Sequence, residues 1–113
     1  MIKKTEVGKM VKKIDAVQFE NEAEKSKVAV VDFSATWCGP CKMLAPVVES
    51  VSEKLAGQVD FYNVDVDECP ELAAQFRVNS VPCLVLMKNG EFADQSIGFK
   101  PEPMILNWIK GNL

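Results

Sequence analysis

Cys38 and Cys41 stand three positions apart where an apolar run, Val28-Ala29-Val30-Val31-Asp32-Phe33, gives way to Lys42-Met43-Leu44-Ala45-Pro46-Val47-Val48, which reads as a helix. Cys-x-x-Cys spacing at such a strand-to-helix junction suits disulfide exchange. Cys38 falls at the helix N-terminus, where unpaired backbone N–H groups and the positive end of the helix dipole favour a thiolate over a thiol. The first sulfur is therefore the expected nucleophile. Cys41, one turn later, points inward along the same face, within bonding reach but less open to solvent, and is the expected resolving sulfur. Attack of Cys38 on a substrate disulfide gives a mixed disulfide that Cys41 then breaks, a step made fast by proximity.

The competing readings of these sulfurs are a metal knuckle or a pair of inert core thiols. A four-cysteine zinc site normally presents a second close pair, whereas Cys69 and Cys83 are far apart in sequence and the chain has no His. Neither metal nor bound cofactor is expected; the working group is the reversible Cys38-Cys41 disulfide. Gly39 and Pro40 carry no charge, so a Cys38 thiolate draws mainly on the helix terminus, which favours a reductant over an oxidant. Asp32 lies in an otherwise apolar strand shortly before the nucleophile. A carboxylate desolvated there has a raised pKa and can accept the Cys41 proton during resolution; the plainer reading is a strand-end Asp reaching solvent or a backbone donor.

These groups need a scaffold, and the hydrophobic pattern supplies one. Met10 to Ile14 reads as a short strand, and Asp15 with Gln18 forms a capping signal for a helix to about Lys25. Strand Val28 to Phe33 follows, then a helix from about Cys38 to Leu55 with Leu44, Val47, Val48, Val51 and Leu55 at helical spacing and a kink expected at Pro46. Gly57 closes it. Val59 to Val64 is a strand, and Leu72 with Phe76 marks a short helix begun near Pro70. Cys83 to Met87 is an apolar strand, and Asn89-Gly90 turns it tightly into a partner running to about Ile97. Pro101 and Pro103 suit the start of a closing helix with Ile105, Trp108 and Ile109 inward, ending near Gly111. The order β-α-β-α-β-α-β-β-α implies an α/β protein. Its central β-sheet of about five strands is mixed, since helical crossovers impose parallel neighbours and the hairpin an antiparallel edge, and about four helices cover both faces.

At 113 residues and 48% hydrophobic content the chain suits a single domain, residues 1–113, with 1–9 set apart as a loosely ordered N-terminal extension. The formal charge of −3 comes from 13 basic and 16 acidic residues mixed along the chain, so neither a nucleic-acid stripe nor a polybasic membrane patch is visible. Met1-Ile2-Lys3-Lys4 is followed by Thr5-Glu6-Val7-Gly8-Lys9 instead of an apolar segment, which argues against secretion, and no apolar run approaches the ~18 residues of a membrane helix. Cysteines in a cytoplasmic chain read more readily as redox groups than as staples.

With motif and element order in hand, the chain resembles the thioredoxin family from about Met10 to Leu113. The resemblance rests on Val31-Asp32-Phe33-Ser34-Ala35-Thr36-Trp37-Cys38-Gly39-Pro40-Cys41-Lys42, with Ala45-Pro46, Val64-Asp65, Val81-Pro82, Lys88-Asn89-Gly90 and Gly98 in the family's order. It implies a thioredoxin fold and a cytoplasmic, monomeric dithiol that reduces protein disulfides and is re-reduced by a thioredoxin reductase. It also implies the proton-acceptor role for Asp32 and a cis Val81-Pro82 bond that turns the Val81 backbone outward to pair with a substrate segment. Trp37, Gly39, Pro40, Val81, Pro82 and Gly98 then form a shallow substrate-binding surface, against ordinary core packing for Trp37. A thioredoxin-fold binding or scaffold subunit with incidental redox activity is the alternative from another class; isomerase or oxidant work is a third reading.

Two positions depart from the family pattern. Cys83 follows Pro82 where Thr is usual, putting a third sulfur near the site, and Phe61 is taken to stand where some members carry Lys, leaving Asp32 without a nearby cation. Cys83 reads better as a small buried hydrophobe than as a second redox centre, and Cys69, before Pro70, better as a passive thiol than as one activated by a helix terminus.

Overall fold

The run Val28–Ser34 is buried on both sides, the mark of a central strand, and in the computed structural model, which describes residues 10–113, it lies in the middle of a five-stranded sheet. The strands are β1 (Val11–Lys13), β2 (Val28–Ser34), β3 (Asp60–Asp65), β4 (Cys83–Lys88) and β5 (Glu91–Ile97), in the order β1-β3-β2-β4-β5. The helices are α1 (Ala16–Asn21), α2 (Gly39–Lys54), α3 (Pro70–Gln75) and α4 (Glu102–Asn112). Asp15 caps α1 through the reciprocal box with Gln18. The helix expected to reach Lys25 stops at Asn21, and a 3-10 turn, Ala23–Lys25, completes the connection. α2 continues through Pro46.

Strand alternation sorts the core into two faces. Ala29, Val31, Phe33, Cys83, Val85 and Met87 pack with Phe19 of α1 and Leu72 and Ala73 of α3. Val30, Leu84 and Leu86 pack with Leu44, Val48 and Val51 of α2 and Ile105 and Ile109 of α4. Asp32 shares the parity of Val30 and so faces the α2 side. Trp108, expected inward, is only half-buried, because its indole N–H reaches out to donate to Asp94 Oδ2 at 2.9 Å.

β1 and β2 both run parallel to β3, whereas β4 is antiparallel to β2 as well as to β5. The expectation that every helical crossover makes parallel neighbours thus fails at α3. α3, about 9 Å long, and the loops on either side of it stay at one end of the sheet instead of carrying the chain back along it. β4 therefore begins beside the C-terminal end of β2, with Cys83 opposite Phe33. That places Val81-Pro82 at the end of the sheet from which the chain enters α2. At the far end Asn89 and Gly90 have φ of 53° and 82°, the type I′ geometry that an Asn-Gly hairpin adopts.

Candidate active site

β2 ends at Ser34, and residues 35–38 turn the chain into α2, with Cys38 as the extended N-cap residue. Pro40 stands in the first turn, where its missing N–H leaves no bond unmade. Cys38 and Cys41 are joined as a disulfide with Cα atoms 5.3 Å apart. The Cys41 N–H donates to Cys38 Sγ at 3.2 Å, so the first sulfur occupies the capping position that a serine or aspartate oxygen fills elsewhere. A thiolate there would gain the same bond and the helix dipole. The expected difference in exposure is absent: Cys38 is 4% exposed and Cys41 5%. With the bond closed each sulfur shields the other, and Cys38 Sγ also lies 3.7 Å from the Val81 carbonyl oxygen.

Around the sulfurs the sequence-derived surface residues gather. The Val81-Pro82 bond is cis, as the resemblance implies. Trp37 is 69% exposed, so it is no core aromatic, and its indole N–H donates to Asp67 Oδ2 at 2.8 Å. Gly39 and Pro40 are exposed, Val81 and Gly98 half-buried, and Pro82 buried. Gly98 has φ of 86° and its N–H bonds the Pro82 carbonyl at 2.9 Å, tying the end of β5 to the cis-proline segment. Ile97 and Phe99, on either side of it, are exposed apolar side chains that sequence reasoning left out.

Asp32 is 4% exposed, and burial pushes its carboxyl pKa up to about 7, an effect that Asn63 offsets in part. Its Oδ1 has no hydrogen-bond partner. Asp32 and Cys41 line one cleft of about 330 Å³. The residue opposite Asp32 in the strand register is Asn63, while Phe61 pairs with Val30 and lies in the apolar cluster. Asn63 Nδ2 donates to the Asp32 backbone carbonyl at 3.0 Å and to Ser34 Oγ at 2.8 Å. The one cue in the sequence is a lone amide among the apolar residues of β3, which the sequence reading did not single out. Lys13 and Lys42 line the same cleft, but neither contributes to the Asp32 shift, which comes from burial and Asn63.

Cys83 is in the core on the α1 and α3 face, with its thiol pKa raised by burial and by the Asp32 charge. Cys69 is the N-cap residue of α3 but is buried, and desolvation pushes its thiol pKa up as well. Neither sulfur is activated. Among the described residues no three His, Cys, Asp or Glu side chains gather as they would to hold a metal ion, and no helix is long and apolar enough to cross a membrane.

A disulfide capping a helix at the end of a mixed α/β sheet, beside a cis proline, defines a thiol–disulfide oxidoreductase that acts as a protein-disulfide reductase. The chain belongs to the thioredoxin family, whose family model, described as Thioredoxin, matches residues 10–111. It is 38% identical over 105 residues to a thioredoxin of Rickettsia typhi, covering 92% of this chain and 100% of the relative. It is 44% identical over 90 residues to a thioredoxin of Staphylococcus aureus, covering 80% and 86%. A solved mutant thioredoxin from Halobacterium salinarum NRC-1 superposes with a TM-score of 0.80 at 32% identity, covering 89% of this chain and 90% of that one.

Proposed function

We propose that Cys38 is the nucleophile, Cys41 the resolving sulfur and Asp32 the proton acceptor of this reductase. The observation that carries the reading is the position of Cys38 Sγ, which receives the Cys41 N–H at the first turn of α2. On reduction that bond and the helix terminus stabilise a Cys38 thiolate, which attacks the substrate disulfide and displaces one substrate sulfur. Cys41 then gives its proton to Asp32 and attacks Cys38, releasing the second substrate sulfur. A carboxyl with pKa about 7 has the basicity to take that proton near neutral pH.

Trp37, Gly39, Pro40, Val81, Pro82 and Gly98 form the substrate-binding surface, where the half-buried Val81 backbone meets an extended segment of the partner and Trp37 borders it. The reversible disulfide carries the electrons without a bound cofactor. A thioredoxin reductase is the proposed electron source, disulfide-containing proteins are the acceptors, and the cytoplasm is the compartment. The chain acts as a monomeric single domain over residues 1–113; the N-terminal extension read at 1–9 lies outside the described residues. The test is reduction of a protein disulfide driven by a thioredoxin reductase, with Cys38→Ser as control. Turnover lost in the variant supports the assignment; turnover retained refutes it. The scaffold alternative has no specific observation in its favour.

A further inference from the structure

Among the described residues two buried side-chain oxygens have no hydrogen-bond partner, Asp32 Oδ1 and Glu49 Oε1. Asp32 is buried and Glu49 half-buried, and polar atoms shielded from solvent are rarely left without a partner. Both side chains line the cleft that also contains Cys41. Its helical wall is built from Cys41, Ala45 and Glu49, a stripe at i, i+4 and i+8 that runs about 12 Å down α2. Ala45 in the middle of that stripe is small and exposed, which keeps the wall open. The facing wall is Asp32 and Ser34 of β2, Asn63 of β3 and Lys13 of β1. A cleft of about 330 Å³ has room for on the order of ten waters at about 30 Å³ each.

We propose that Glu49 passes the proton that Asp32 takes from Cys41 out to bulk solvent, with water in the cleft as carrier. The inference rests on the reading of Asp32 as proton acceptor. In the resolving step the Cys41 S–H bond breaks and its proton goes to the Asp32 carboxylate. The Cys41 sulfur then bonds to Cys38, and the substrate sulfur leaves with the electron pair. Asp32 next releases its proton through water to the Glu49 carboxylate, and Glu49 gives it to solvent, where it offsets the proton that the departing thiolate takes up. Both carboxylates end as they began, and the only oxidant is the substrate disulfide.

The surroundings of Glu49 suit this exchange. Burial and Glu53, one turn further along α2, push its pKa up, while the backbone N–H groups of Met10 and Val11 offset this in part. The charged groups that share the cleft are Asp32 from β2, Lys13 from β1 and Lys42 from α2, and β3 contributes the neutral Asn63. Glu49 thus holds a proton more readily than a free glutamate does.

The test is stopped-flow oxidation of the reduced protein by a disulfide-bonded protein substrate, read at pH 6 to 9 in dilute and in concentrated imidazole buffer. In dilute buffer at neutral pH, Glu49→Gln is expected to slow the resolving step about five- to tenfold, and concentrated imidazole to restore it by acting as the missing carrier. Glu49→Asp, which keeps the carboxylate, is the second variant and is expected to lose less than about twofold. A Glu49→Gln rate equal to wild type, or a loss that imidazole does not restore, overturns the relay. Asp32→Asn separates the two readings. If it slows the step and Glu49→Gln does not, only the relay fails; if it has no effect, the acceptor reading fails and the relay with it.

Discussion

Burial of Asp32 has a consequence for stability whose size follows from its titration. The carboxyl pKa moves from its ordinary 3.8 to about 7 in the folded protein, and the side chain is only 4% exposed, so solvent screening does not erode the effect. Three units at about 1.4 kcal/mol each give about 4 kcal/mol. The sign follows from proton counts: between the unfolded and folded pKa values the native state binds the proton and the unfolded chain does not, so stability falls as pH rises. The favourable contribution is complete below about pH 4 and is lost as pH passes through the folded pKa of about 7. Asp32→Asn removes the titration while keeping the side-chain shape. Denaturant unfolding of oxidised wild type and variant across pH 4 to 9 measures this, because the difference between them cancels the other titrating groups. The variant's stability relative to wild type is expected to rise by about 1.4 kcal/mol per pH unit from about pH 4 to 7, then level off about 4 kcal/mol higher. A difference that stays flat across that range would refute the claim that Asp32 is desolvated.

Asn63→Lys brings an ammonium to the position opposite Asp32 and is expected to lower the Asp32 midpoint by about one unit or more, read by carboxyl-carbon NMR; an unchanged midpoint counts against the strand register as the route of contact. Gly90→Ala would set a methyl 2.7 Å from the Glu24 carbonyl oxygen at φ of 82°. It is expected to cost about 2–4 kcal/mol in urea unfolding, whereas a loss below about 0.5 kcal/mol would mean that the hairpin moves away freely. After reduction, mild iodoacetamide treatment of the native protein is expected to label Cys38, the sulfur stabilised as a thiolate at the helix terminus, ahead of Cys41, and to spare Cys69 and Cys83, whose thiol pKa values are raised by burial, as peptide mapping would show. Labelling of Cys83 at a rate comparable to Cys38 would reopen its reading as a second redox centre.

Local chemistry was legible in the chain. The cysteine spacing, the capping box at Asp15 and Gln18 and the Asn89-Gly90 turn are short-range signals, since each depends on residues within one turn of helix or hairpin. Contacts made across the sheet were not. The direction of β4 depends on where the segment around α3 packs, and a helical pattern does not disclose that. Asn63 faces Asp32 only once β2 and β3 are in register, and nothing within β3 alone discloses that pairing. Glu49 was not singled out in the sequence, because nothing local reveals that it and Asp32 share a cleft. Arg77, at φ of 55°, takes a left-handed conformation for which its side chain gives no cue.

The central claim, that Cys38 attacks and Cys41 releases, is tested most directly by trapping. Reduced Cys41→Ser, mixed with a disulfide-bonded protein substrate and examined by intact-mass spectrometry, is expected to accumulate a covalent adduct through Cys38, while Cys38→Ser yields none. An adduct formed equally by Cys38→Ser, or by neither variant, would contradict it.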